Sequence, residues 1–223
     1  MTNYCGCTKQ ERLAGVTATF AMAKIAVLQE AYLGKNNARS AWARAELAKL
    51  RRLNSQMDTN WISVGGELFD KWPSTELAEL DASKWDEERV ANTLVAAFGL
   101  YAMHQQSSKS ECAFVRRDGE TDEECAHRRR QASFGRCCRN IEPDLDEAAG
   151  VQRRLRYIEA SAEFDGVLYG LRGLVSLIKS TAETPRCLDY YALTRDLYLL
   201  QAGQWSRDKV FSNWSKDYFA PLI

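Results

Sequence analysis

Arginines and lysines are the side chains of this sequence whose types and spacing could do chemistry. Arg51 and Arg52 stand together, Arg136 and Arg139 are three apart, and Arg153, Arg154 and Arg156 form a cluster. Arg172, Lys179, Arg207 and Lys209 follow singly. A guanidinium is planar, permanently charged and forked, which matches the oxygens of a phosphate. Cations scattered along a chain but gathered in space suit a groove that tracks a nucleic-acid backbone without reading bases. The total charge says nothing of this, because 30 basic residues balance 30 acidic ones. The distribution is informative. Six basic residues between Lys35 and Arg52 meet one acid, Glu46, and the five arginines between His127 and Arg139 meet none. Nine acids crowd Asp58 to Glu88 against Lys71 and Lys84, and four more fall in Glu142–Glu147. Such segregation puts a positive face on a neutral body. Arg51 and Arg52 also have a plainer account, since cations favour the C-terminal end of a helix.

No other constellation reads as a reaction centre. His104 and His127 are the two histidines, and neither has a nucleophile or carboxylate at motif spacing. Phosphate-binding, esterase and zinc-protease motifs are absent. Acids around Asp81–Glu88 fit a solvated face. Of seven cysteines, Cys112, Cys125 and Cys137 with His127 could be drawn as a zinc set, but the paired C-x2-C knuckles are missing. Free thiols in a cytosolic chain, with no metal and no cofactor, are the simplest expectation. The six tryptophans fall mostly on apolar helix sides, so core packing is expected of them. No apolar run is long enough for a membrane span. Leu13–Ala23 reads as helix rather than export signal, because Gly15, Thr17 and Thr19 dilute it and the helical pattern continues past Lys24.

The elements that must position these cations are helical. In the last third, Val151–Ala160, Glu163–Lys179, Asp189–Leu200 and Arg207–Phe219 carry apolar residues at i, i+4 and i+7. Phe164, Leu168, Leu171, Val175 and Ile178 are one such stripe. Each stripe needs a partner, so the four pack together, with Arg172, Lys179, Arg207 and Lys209 outward. Upstream, Phe20–Leu33 ends at Gly34, and Ser40–Leu53 turns Trp42, Leu47 and Leu50 inward. Asn54–Asn60 reads as loop, Trp61–Leu80 as short or irregular helix, and Asp86–His104 as the clearest helix of this half. Gln105–Gln131 has the composition of a mobile surface loop. Strand signals are nearly absent. The expectation is an all-α bundle protein of two packed helical halves: an N-terminal helical extension (1–37), an N-terminal half (38–106), an insertion loop (107–131) and a C-terminal bundle (132–223).

Five pieces in order resemble the CasB family, the small subunits of the type I-E CRISPR Cascade effector. They are Leu47-Ala48-Lys49-Leu50-Arg51-Arg52, Leu100-Tyr101-Ala102-Met103-His104, Ser133-Phe134-Gly135-Arg136 and Val151-Gln152-Arg153-Arg154-Leu155. The last is a long tail from Leu171-Arg172-Gly173 through Leu188-Asp189-Tyr190 to Trp214-Ser215-Lys216-Asp217-Tyr218-Phe219. Met1–Lys35 and Ser107–Arg130 stand outside the shared pattern. The resemblance implies an all-α, non-enzymatic, cytoplasmic protein without cofactor. It implies two copies along a guide-RNA complex, beside its backbone and large subunits. There they would hold the guide–target duplex and the displaced DNA strand, mainly by the backbone. Arg52, Arg136, Arg153, Arg154 and Arg172 match basic positions of the family; Arg51, Arg207 and Lys209 complete the expected nucleic-acid-binding set. Gly173 stands where a second basic residue is common in the family.

Two readings from other classes compete. A one-component helical repressor would need a helix-turn-helix near the N-terminus, and the alanine-rich helix after Gly34–Asn37 offers poor base-reading chemistry. A purely structural bundle would bind proteins alone.

Overall fold

The computed structural model describes residues 8–53, 61–145, 149–180 and 187–222. The loop expected at 54–60, together with Cys5 and Cys7, lies outside the described residues. Eleven helices and no strand occur among those described. They are α1 (Lys9–Leu33), α2 (Asn37–Arg52), α3 (Trp61–Phe69), α4 (Ser74–Glu79), α5 (Lys84–Gln105), α6 (Asp122–Gln131), α7 (Phe134–Arg139), α8 (Ala149–Ala160), α9 (Phe164–Ser180), α10 (Tyr190–Leu199) and α11 (Gln204–Phe219). The chain is all-α, as its apolar periodicity requires.

Helix α5 is the axle. It starts on a capping box in which Ser83 and Asp86 satisfy each other's backbone N–H. Val90, Leu94, Ala97, Leu100 and Tyr101 are sealed from solvent, and so are residues on its other sides, such as Thr93 and His104. From Thr93 on, α5 is buried on nearly every side, which puts that part of it at the centre, and α1, α2, α9 and α10 pack on it.

Helix α1 is not an appendage. Thr8 and Glu11 form its capping box. Leu13, Ala14, Ala18, Ala21 and Ile25 then make a fully buried stripe of mostly small residues, which lets α10 approach closely. Tyr198 of α10 donates to the Gln10 side chain at 3.0 Å. The two halves of the chain therefore interlock, with α10 of the C-terminal half seated on α1 and α5.

Part of the segment expected as an insertion loop, Cys112 to Phe114, enters the core, while α6 keeps no buried residue. Cys112 and Ala113 are fully buried. Gln29 of α1 accepts from Cys112 N at 3.0 Å and Ala113 N at 2.8 Å, and it donates to Ala113 O at 3.0 Å. Phe114 N donates to Leu188 O and Leu188 N to Cys112 O, an isolated parallel bridge. Arg128 of α6 then clasps Glu120 at 2.6 Å and covers the Phe114 ring. Polar composition hid this, because the partner that satisfies the strap's backbone lies far away in sequence.

The tryptophans also depart from expectation. Trp214 is buried, and Trp72 packs on Phe20 and Phe69. Trp42, Trp85 and Trp205 are exposed, Trp85 at 72 %. Trp85 and Trp205 are the second residues of α5 and α11, where a side chain projects past the end of the core. No described helix is long and apolar enough to cross a membrane.

Candidate nucleic-acid interface

Helices α8 and α9 form a hairpin held at both ends. The Glu142 carboxylate accepts from Gly150 N at 3.2 Å and Val151 N at 3.0 Å, capping the start of α8. Arg207 donates to Ile158 O at 3.3 Å, Glu159 O at 3.1 Å and Ser161 O, closing its end. Between these clamps the helices touch through glycine. A Cβ on Gly170 would stand 2.3 Å from Ile158 Cγ1, so only glycine allows this approach. At Gly173 a Cβ would stand 3.1 Å from Arg154 Nη1. The missing side chain is the space over which the Arg154 guanidinium lies.

This packing brings Arg153 and Arg154 from α8 together with Arg172 from α9. They line one open groove of about 550 Å3, with Tyr157 and Tyr169 beside them. Partial burial lowers the Arg172 pKa from its ordinary value, and Asp165 opposes the shift. The guanidinium stays charged even so, its ordinary pKa being far above neutrality. The sequence signal for the tyrosines was available: Tyr157 is four residues after Arg153, and Tyr169 three before Arg172, so each shares a helix face with an arginine.

The positive track continues beyond the hairpin. Ser176, at the edge of the groove, donates to Met103 Sδ at 3.6 Å, and Lys179 donates to Met103 O at 2.9 Å. Partial burial lowers the Lys179 pKa, and the Arg51 charge lowers it further. Arg51 lines a smaller cleft of about 170 Å3 with Arg44 and Tyr32, where Arg44 lies over the Tyr32 ring. Arg52 is exposed at the end of α2.

Three expected members are not brought to this track. Arg136 is only 6 % exposed. Its Nε donates to Gln131 Oε1 at 3.2 Å and its Nη1 to Ala220 O at 2.9 Å. The cause is its neighbour: Gly135 presses α7 so closely on α11 that a Cβ would meet Trp214 O at 2.3 Å. Arg207 is occupied by the α8 carbonyls and by the Phe211 ring. Lys209 pairs with Glu11 at 2.5 Å and covers the Trp205 ring. Arg136, expected in the nucleic-acid-binding set, is withdrawn from the surface, and Arg207, expected to face outward, is tied to α8.

His104 is sealed in the core, with Tyr190 Oη 3.3 Å from its Nδ1, and burial pushes its pKa down to about 4. Cys112, Cys137 and Cys138 are buried thiols. Among the described residues no group of three or more His, Cys, Asp or Glu side chains gathers as a metal site.

The fold has known counterparts. The crystal structure of CasB from Thermobifida fusca superposes with a TM-score of 0.68 at 23 % identity, covering 92 % of this chain and 98 % of that one. That of M. ruber CasB gives 0.54 at 16 % identity, covering 90 % and 92 %. At these identities the likeness speaks for the fold. No curated protein matches the sequence. The family model described as CRISPR-associated protein Cse2 matches residues 46–219. That match takes in α5, the Arg153–Arg154–Arg172 hairpin and the closing helix α11, and on it the chain belongs to the Cse2 family of structural Cascade subunits in CRISPR defence.

Proposed function

We propose that the chain is a non-catalytic small subunit that holds nucleic-acid backbone within a guide-RNA surveillance complex, steadying the guide–target duplex and the displaced DNA strand. Its partners in this reading are the backbone and large subunits and a second copy of itself. The observation that carries the reading is the convergence of Arg153, Arg154 and Arg172, from two helices, in one open groove. Arg51 and Arg52 extend the contact set along the track through Lys179. Arg136, Arg207 and Lys209 support it indirectly, as the ties that fix α7, α8 and α1. Backbone recognition carries no base code, so the guide supplies the sequence specificity.

The test is the Arg153→Ala/Arg154→Ala/Arg172→Ala variant assembled into the complex. Target binding should weaken to a similar degree for unrelated sequences. The slope of log affinity against log salt should fall by about 0.7 to 0.9 for each phosphate no longer neutralised. Wild-type affinity and slope, with assembly intact, would show that the groove does not carry nucleic acid.

A further inference from the structure

The groove that gathers the arginines also carries two large rings that the fold does not use. Tyr157 is 54 % exposed and Tyr169 is 70 % exposed, and neither belongs to the hydrophobic core. They stand on opposite helices of the hairpin. Its register follows from two contacts, Ile158 against Gly170 and Arg154 against Gly173. Tyr157 and Tyr169 flank the first contact, and Arg153 and Arg172 flank the second. One end of the groove is therefore aromatic and the other cationic. Three to four helical residues separate the two ends, about 4.5–6 Å at the usual rise per residue. That spacing lies within the reach of one nucleotide, from its phosphate to its base.

We propose that the groove selects single strands, with bases stacked on Tyr157 and Tyr169 while Arg153, Arg154 and Arg172 hold the adjoining phosphates. The inference rests on the backbone-binding reading above and adds the chemistry that distinguishes one strand from two. In a duplex the base faces are covered by their neighbours, so a ring at the groove edge has nothing to stack on. A strand with unstacked bases offers a face to each tyrosine, whatever its sequence.

The test uses the full chain at low ionic strength and three labelled probes of equal length: oligothymidylate, an abasic deoxyribose-phosphate polymer, and duplex DNA. Wild-type protein should bind oligothymidylate more tightly than the abasic polymer. Tyr157→Leu/Tyr169→Leu should lose at least about tenfold in affinity for oligothymidylate, the scale of one stacking interaction. It should keep its affinity for the abasic and duplex probes, and its salt slope. Tyr157→Phe/Tyr169→Phe should bind as wild type, because stacking needs the ring and not the hydroxyl. Arg153→Ala/Arg154→Ala/Arg172→Ala should weaken all three probes. Both tyrosines are exposed, so circular dichroism and the thermal midpoint should not move. Equal wild-type affinity for oligothymidylate and the abasic polymer overturns the proposal. So does a leucine variant that binds like wild type, or one that loses all three probes alike. In those cases the arginine variant decides separately on the groove: if it too binds as wild type, the backbone-binding reading falls as well. Wild-type protein that binds no probe overturns the stacking proposal alone, and the variant in the assembled complex then decides on backbone binding.

Discussion

Replacing Gly135 by alanine tests the close approach that withdraws Arg136 from the surface. A Cβ at this position would stand 2.3 Å from Trp214 O and 2.8 Å from Asp217 Cβ. Ordinary contact between heavy atoms is about 3.5–4.0 Å, so α7 must retreat from α11 by roughly 1 Å or more. No rotamer change relieves the clash, because the nearer atom belongs to the α11 backbone. Retreat would open the Phe134–Trp214 ring contact, now 4.5 Å between centroids. It would also stretch the 2.9 Å bond from Arg136 Nη1 to Ala220 O. Overpacking costs about 1–3 kcal/mol, and loss of a hydrogen bond to a charged group adds about 1.5–3 kcal/mol. The better helix propensity of alanine offsets only about 1 kcal/mol. The net loss is about 1.5–5 kcal/mol. In urea unfolding followed by intrinsic fluorescence, with a slope of about 2–3 kcal/mol per molar, the midpoint should fall by about 0.5–2.5 M. A midpoint unmoved by Gly135→Ala would refute the close approach of α7 and α11, and Arg136 would count again as a surface cation.

Gln29→Ala should remove partners from the buried backbone of Cys112 and Ala113. A loss of about 2–4 kcal/mol is expected, along with weaker amide-exchange protection at Ala113 and new proteolytic cleavage at Arg116–Arg117; a variant as protease-resistant as wild type would count against the strap. Glu11 accepts from Lys209 and from Thr8 N, which brings its pKa down to about 2 from an ordinary value of 4.5. A depressed folded-state pKa contributes stability above the unfolded value and loses it as pH falls. The stability gap between wild type and Glu11→Gln should therefore be full above about pH 5 and close progressively between pH 4.5 and pH 2, as read from thermal midpoints. Gly173→Ala should raise helix stability by up to about 1 kcal/mol yet displace the Arg154 guanidinium, 3.1 Å from the new Cβ. A higher thermal midpoint with weaker nucleic-acid binding is the expected pair of results, and unchanged binding would mean that Arg154 does not need that seat.

The helices were legible wherever local period sufficed. The four C-terminal helices lie within about three residues of their expected ends, because Leu168, Leu171, Val175 and Ile178 repeat at helical spacing in a short stretch. Arg153, Arg154 and Arg172 were legible for the same reason: their helices are adjacent in sequence, and a short connection makes them neighbours. What failed was information carried by distant partners. Nothing near Arg136 in sequence reports that Gly135 will meet Trp214. Nothing near Cys112 reports that Gln29 will serve its backbone. Trp85 and Trp205 misled because residue type decides what a side chain favours, whereas its position along the helix decides whether the core reaches it.

The seating of α1 on α10 sets an order of events during synthesis. About 160 residues separate the end of α1 at Leu33 from the start of α10 at Tyr190. At about 5–20 residues per second, α1 leaves the ribosome roughly 10–30 s before the surface that buries it exists. For that interval Leu13, Ile25 and the alanines between them have only α2 and, later, α5 to cover them. Closing so long a loop is slow compared with forming either helix. The nascent chain therefore holds an apolar helix face open until its last third emerges. A message truncated before Tyr190 leaves a product without α10, the helix seated on this face of α1.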